Sequence, residues 1–281
     1  MTDVREDVAT AATNDNRLDP KGDFIWYELM TNDAEGAKAF YDAVVGWDFG
    51  EATPEFNGYR MINTADGSFA GGVLPLTDEM QQHGARPAWL GYIHVTDVDA
   101  AVASIEQAGG KGLMTHDIPN VGRIAMVTDP QGAPFYVMKP IPPAGRENES
   151  SDVFSPDKVG RCGWNELSTS DPVAARRFYG DQFGWTSDDF MPMGEQGEYR
   201  FLDHKGKRIG AVAGAMDGQQ PHWRYYFRVP SIAAAKQTAE AKGGKVVVGP
   251  MEVPTGDFIV IGVDPQGAEF ALVGGKIGMQ R

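Results

Sequence analysis

Two rhythms of apolar positions alternate along this chain and predict its elements in order. Trp26 to Met30 is a short run of aromatic and β-compatible residues, which reads as a strand. Asp33 follows where a helix cap belongs, and Ala37, Phe40, Tyr41 and Val44 recur at the three-and-four spacing of a helical stripe packed on a sheet. After two or three further strand-like runs the order returns. Tyr92 to Val95 reads as a strand, Asp97 as a cap, and Val98, Ala101, Val102 and Ile105 as a second stripe that Gly109 and Gly110 end. "IAMVTDPQGAPFYVMK" then reads as two strands joined by a tight turn, with Asp129, Pro130 and Gly132 where a type I turn prefers them. Strand, helix and about three strands form one unit, which occurs twice in the first half of the chain.

The passage is then repeated. "WYELMTNDAEGAKAFYDAVVGWD" from Trp26 returns without a gap as "WNELSTSDPVAARRFYGDQFGWT" from Trp164, where Pro172 at the first helical position sharpens the start. "WLGYIHVTDVDAAVASIEQAGGK" from Trp89 returns from Trp223 as "WRYYFRVPSIAAAKQTAEAKGGK", and "TDPQGAPFYVMKP" returns as "VDPQGAEFALVGG". Spacings of 138, 134 and 135 residues separate the three pairs, so only short loop changes distinguish the copies of a duplicated domain. Between them "PIPPAGRENESSDVFSPDK" is rich in Pro, Ser and charge and reads as a linker. The expected organisation is a flexible tail over 1–21, a first domain over 22–139, a linker over 140–158 and a second domain over 159–281.

Composition removes several function classes. With 42% apolar and 23% charged residues the chain is globular, and no apolar run approaches the ~20 residues that span a bilayer. A formal charge of -14 with no basic cluster argues against nucleic acid and anionic membranes as partners. The first twenty residues have no apolar signal-peptide core, so the expected location is cytoplasmic. Cys162 is the single cysteine, which rules out an intrachain disulfide and any Cys-pair metal site.

A strand, an Asp-capped helix carrying "FY" and ending in "GW", and a later "DPQG" before a strand together resemble the vicinal oxygen chelate superfamily: glyoxalase I, bleomycin resistance proteins and extradiol dioxygenases. "DPQGAPFYVMKP" and the tandem arrangement are similar to its two-domain glyoxalase-like branch, and the resemblance covers about 240 of the 281 residues. It implies an α+β fold of two tandem domains, each a pair of βαβββ modules forming a curled mixed sheet around a cavity. In the family's metalloenzymes a divalent metal sits there. The first ligand position corresponds here to Trp26 and Trp164, the second to Leu90 and Arg224, and the last to Tyr136 and Ala271, with Glu269 two residues earlier on the same strand. An indole N–H only donates, and the other side chains supply no ligand set, so no metal and no other cofactor is expected.

Strand alternation gives the cavity-facing candidates instead. Trp26 and Glu28 share a face, as do Trp164 and Glu166; Leu90, Tyr92 and His94 share one, as do Arg224, Tyr226 and Arg228. A carboxylate among aromatics is a ligand-binding composition. The candidate ligand-binding residues are therefore Trp26, Glu28, Tyr92, His94, Trp164, Glu166, Arg224, Tyr226, Arg228 and Glu269, against the plainer reading that the acids and arginines are internal ion pairs and that His94 is structural. No catalytic residue is assigned; Glu28 and Glu166 are the candidates, because a carboxyl in an apolar pocket exchanges its proton near neutral pH. His222 reads as a surface residue, and His83, His116 and His204 as residues of polar loops. The leading expectation is a monomeric or homodimeric protein binding a small, aromatic molecule without metal. Its alternatives are a metal-dependent lyase, isomerase or dioxygenase with rearranged ligands, and an interaction protein in which one domain is a degenerate scaffold.

Overall fold

The computed structural model describes residues 19–142, 144–145 and 149–275. The expected tail therefore lies mostly outside the described residues. The first half runs β1 (Phe24–Thr31), α1 (Ala34–Val45), β2 (Asp48–Phe49), β3 (Arg60–Asn63), β4 (Phe69–Pro75), α2 (Asp78–Gln82), β5 (Ala88–His94), α3 (Val98–Gln107), β6 (Lys111–Ile118), β7 (Gly122–Thr128) and β8 (Pro134–Pro140). The second runs β9 (Cys162–Thr169), α4 (Pro172–Phe183), β10 (Phe190–Pro192), β11 (Glu198–His204), β12 (Lys207–Gly214), β13 (His222–Val229), α5 (Ile232–Ala241), β14 (Lys245–Glu252), β15 (Phe258–Val263) and β16 (Glu269–Gly274). The Asp caps do as their spacing predicts: the Asp33, Asp97 and Asp171 carboxylates accept from the backbone N–H groups of Gly36, Ala100 and Ala174. Gly46 and Gly184 close α1 and α4 at φ 83 and 74, where a Cβ would strain the chain.

Each half makes one eight-stranded mixed sheet, in the orders β2-β3-β4-β1-β5-β8-β7-β6 and β10-β11-β12-β9-β13-β16-β15-β14. Two four-stranded units meet where β1 runs antiparallel to β5 and β9 to β13. Alternation then sorts the side chains. From β1 and β5, Tyr27, Leu29, Trp89 and Ile93 enter the large core that both halves share, whereas Met30, Leu90 and Tyr92 belong to a separate cluster on the first half's concave face.

The shared core explains the repeated motifs. Tyr41 of one "FY" donates to Asp264 of the other half's "DPQG" (2.9 Å), and Tyr179 donates to Asp129 (3.1 Å). Each hydroxyl accepts in turn from its own half's indole, Trp89 at 3.0 Å and Trp223 at 2.9 Å. Trp47 and Trp185, the "GW" residues, donate to the Gly160 and Gly22 carbonyls. Equivalent positions also meet directly, Tyr27 with Asn165 at 2.7 Å and the Gly91 N–H with the Tyr225 hydroxyl at 2.7 Å, which places a pseudo-two-fold axis between the halves. Much of the motif that identifies the fold is thus latch. The segment between the sheets is packed where it approaches β9: Val153 is buried, Phe154 bridges Cys162, and Ser151 donates to the Ile25 carbonyl.

Candidate functional site

On the concave face of the first half, β1 presents Trp26 and Glu28 and β5 presents Leu90 and Tyr92. Glu28 stands opposite Leu90 on one side and Gly72 of β4 on the other. Its carboxyl is 3% exposed. Oε2 accepts from the Tyr92 hydroxyl (2.9 Å), and Oε1 has no hydrogen-bond partner. Burial pushes this acid up to about 7, although the Tyr92 and Tyr59 hydroxyls beside it pull the other way. Burial and the neighbouring Glu28 raise the Tyr59, Tyr92 and Tyr136 phenols in turn, so all three stay protonated. Tyr136 stacks on Tyr92 at 4.2 Å and 14°, and Trp26 donates its indole N–H to the Tyr59 hydroxyl at 2.8 Å. Tyr59 fits because position 72 is Gly; a Cβ there would lie 2.0 Å from its hydroxyl. Met30, Leu76, Ile124 and Met138 complete the wall.

The second half holds the same frame with its acid satisfied. Glu166 Oε2 accepts from Tyr199 (2.7 Å), while Oε1 accepts from Arg224 Nη1 (2.7 Å) and Tyr226 (3.2 Å). Trp164 donates to the Tyr199 hydroxyl as Trp26 does to Tyr59. Arg224 stands where the first half has Leu90, and Ala271 where it has Tyr136. The guanidinium also clasps Glu269 through Nε (2.7 Å) and Nη2 (3.1 Å), with His222 Nε2 at 3.2 Å from Nη2. Burial alone would raise Glu269, but His222 and Arg224 outweigh it and hold the acid down at about 2.

The structure therefore brings Trp26, Glu28 and Tyr92 together in one cup and Trp164, Glu166, Arg224, Tyr226 and Glu269 in the other. His94 ends β5 apart from both, among the charges of Asp19, Asp23, Lys139 and Lys205, with burial lowering its pKa. Arg228 turns to Asp257 on the β14–β15 connection (2.6 Å) and leaves Glu166 to Arg224. His222 opens β13 and is only partly exposed, while His116 lies in β6 and His204 is buried in β11 rather than set in loops. Strand reasoning omitted Tyr59 and Tyr199 from the site. Their signal was a repeated "YR" at 59–60 and 199–200, which precedes or opens a strand and so carries no dependable alternation. Tyr136, weighed only as a failed ligand position, is a wall of the first cup.

A divalent metal does not fit these residues. Trp26, Leu90 and Tyr136 offer an indole, a hydrocarbon and a protonated phenol. In the second cup the Arg224 guanidinium already lies between the two carboxylates. Among the described residues no three His, Cys, Asp or Glu side chains converge as a metal site.

The chain is 32% identical over 252 residues to CFP32 of Mycobacterium tuberculosis (strain CDC 1551 / Oshkosh), a protein named as a glyoxylase, covering 88% of this chain and 93% of the relative. It is 30% identical over 265 residues to the anthracycline biosynthesis protein DnrV of Streptomyces peucetius, covering 88% and 91%. Among solved structures, the extradiol ring-cleaving dioxygenase from B. fuscum superposes with a TM-score of 0.59 at 18% identity, over 91% of this chain and 73% of that one. The Mn(II)-bound glyoxalase from Novosphingobium aromaticivorans does so with a TM-score of 0.59 at 17% identity, over 92% and 83%. The Glyoxalase/Bleomycin resistance protein/Dioxygenase superfamily matches twice, at residues 24–137 and 160–272, and to that superfamily this chain belongs.

Proposed function

We propose that the protein is a small-molecule-binding member of this superfamily that works without a metal, and that the first-half cup is its binding site. One observation carries the reading: Glu28 is buried among three tyrosines and a tryptophan with no ion-pair partner among the described residues and Oε1 outside hydrogen-bonding geometry, whereas Glu166 in the sister cup is paired with Arg224. A buried carboxyl oxygen left without a hydrogen-bond partner costs about 1–3 kcal/mol, which a polar group of the ligand would recover on binding, a donor where Glu28 is ionised and an acceptor where it is protonated. The surrounding rings favour a flat, aromatic body through stacking and edge contacts. The relatedness to anthracycline biosynthesis proteins supports a planar polycyclic ligand, with its polar group set against Glu28.

The test is a titration of intrinsic tryptophan fluorescence with a panel of polycyclic phenols and quinones, in buffer containing EDTA. Wild type is expected to bind at least one compound, and Glu28→Gln to weaken it at least tenfold while retaining the native circular dichroism spectrum. Binding that vanishes in EDTA and returns with one equivalent of a divalent ion would replace this reading with the metal-dependent one. Equal affinity in Glu28→Gln would move the site elsewhere.

A further inference from the structure

A further cavity borders both cups, sharing Leu90 with the first and Arg224 and Glu269 with the second. A groove with about 270 Å3 of room opens between the two halves, where the starts of β5 and β13 approach each other. Its lining is paired by the duplication: Ala88, Leu90 and Pro134 occupy the positions that His222, Arg224 and Glu269 occupy in the second copy. The groove thus sits at the pseudo-two-fold axis, yet its walls differ in kind. One wall is hydrocarbon; the other carries charge. Trp89 and Trp223, equivalent residues that are 6% and 4% exposed, lie between them.

The polar wall has an acidic balance. Glu166 and Glu269 share the one guanidinium of Arg224, and His222 is the other basic side chain within reach of Glu269. The His222 Nδ1 lies 3.0 Å from the Gln220 carbonyl, and Nε2 lies 3.2 Å from Arg224 Nη2 and 3.3 Å from Glu269 Oε1. Arg224 spends Nε and both Nη atoms on the two acids and is poorly placed to take an anion. Glu269, by contrast, is 36% exposed by its side chain and retains lone pairs on a carboxylate that remains ionised.

We infer that this groove is a second ligand site, which takes a small amphipathic organic cation: an ammonium group against Glu269 and an apolar or aromatic body against Ala88, Leu90 and Pro134. The inference shares only Leu90 with the first-half cup and rests on a different acid.

Calorimetric titration of the full chain with tryptamine tests it, with indole-3-acetate as the anion of matching body. Tryptamine is expected to bind with one equivalent at least tenfold more tightly than indole-3-acetate. Glu269→Gln is expected to weaken it at least tenfold and Glu28→Gln to leave it unchanged. Should Glu269→Gln fail to fold, His222→Trp fills the groove from a side chain that is 26% exposed and is expected to abolish binding. No binding at millimolar tryptamine, equal binding of the anion, or retention in the folded groove variant overturns the proposal. Loss of tryptamine in Glu28→Gln also overturns it, and would place the amine in the first cup.

Discussion

Glu28→Gln makes the electrostatics of the first cup measurable. In the folded protein the acid holds its proton up to about 7, against 4.5 for an ordinary glutamate. Between those values unfolding releases a proton, so stability falls as pH rises: the contribution is whole below 4.5 and lost by the time pH passes through 7. The gap corresponds to about 3 kcal/mol at 1.36 kcal/mol per pKa unit. Full burial leaves no solvent screening to reduce it. The amide introduced by Glu28→Gln does not titrate, so the difference in stability between wild type and variant, followed by urea denaturation from pH 4 to 8.5, removes every other group from the comparison. The wild type is expected to lose about 3 kcal/mol relative to the variant across that range. The constant offset, which includes the cost of the amide itself, is irrelevant to the slope. A flat difference curve would show that water reaches the carboxyl, and a rising one that a cation does; either refutes the reasoning.

Three further outcomes are expected. Tyr41→Phe and Tyr179→Phe each strip a donor from a buried Asp of the opposite half, Asp264 or Asp129, and each should cost about 1–3 kcal/mol in urea denaturation without altering ligand affinity. Gly72→Ala pushes the Tyr59 ring away from its position beside Glu28 and from the Trp26 indole, and should weaken ligand severalfold in the fluorescence titration and lower the denaturation midpoint as well. Leu90→Arg with Tyr136→Ala gives the first cup the second cup's residues, and should turn the falling pH-difference curve upward, because a guanidinium then faces Glu28 as Arg224 faces Glu166.

Much of the fold was legible because its signals are local. Asp33, Asp97 and Asp171 announce their helices within three residues, and strand alternation placed Trp26, Glu28 and Tyr92 on one face. What stayed hidden depends on contacts distant in sequence. Tyr41 and Asp264 are 223 residues apart, so the helical stripe marked Tyr41 as core without showing that its hydroxyl reaches the other half. Arg228 shares a face with Arg224, but its long side chain finds Asp257, 29 residues on, and a period of two says nothing about reach. Tyr59 enters the site from the segment before β3, where the direction of a side chain is set by the path of the chain and not by a pleat.

Duplication also separates frame from chemistry within a single chain. Where the two copies read alike, as at Tyr41 and Tyr179 or Asp129 and Asp264, the residues hold the halves together, and a change on either side breaks a contact to the other. Trp, Tyr and Glu are alike in the cups as well, so both inherit a buried acid that needs partners. The differing pairs decide how that need is met. Arg224 for Leu90 and Ala271 for Tyr136 close the second cup's acid with a guanidinium, and Glu269 for Pro134 draws that guanidinium toward the groove. With Leu90 and Tyr136, the first cup offers hydrocarbon and a stacked ring, which shield Glu28 from water without hydrogen-bonding Oε1. Function is therefore to be sought where the copies disagree, because only there does the same acid face a different set of neighbours.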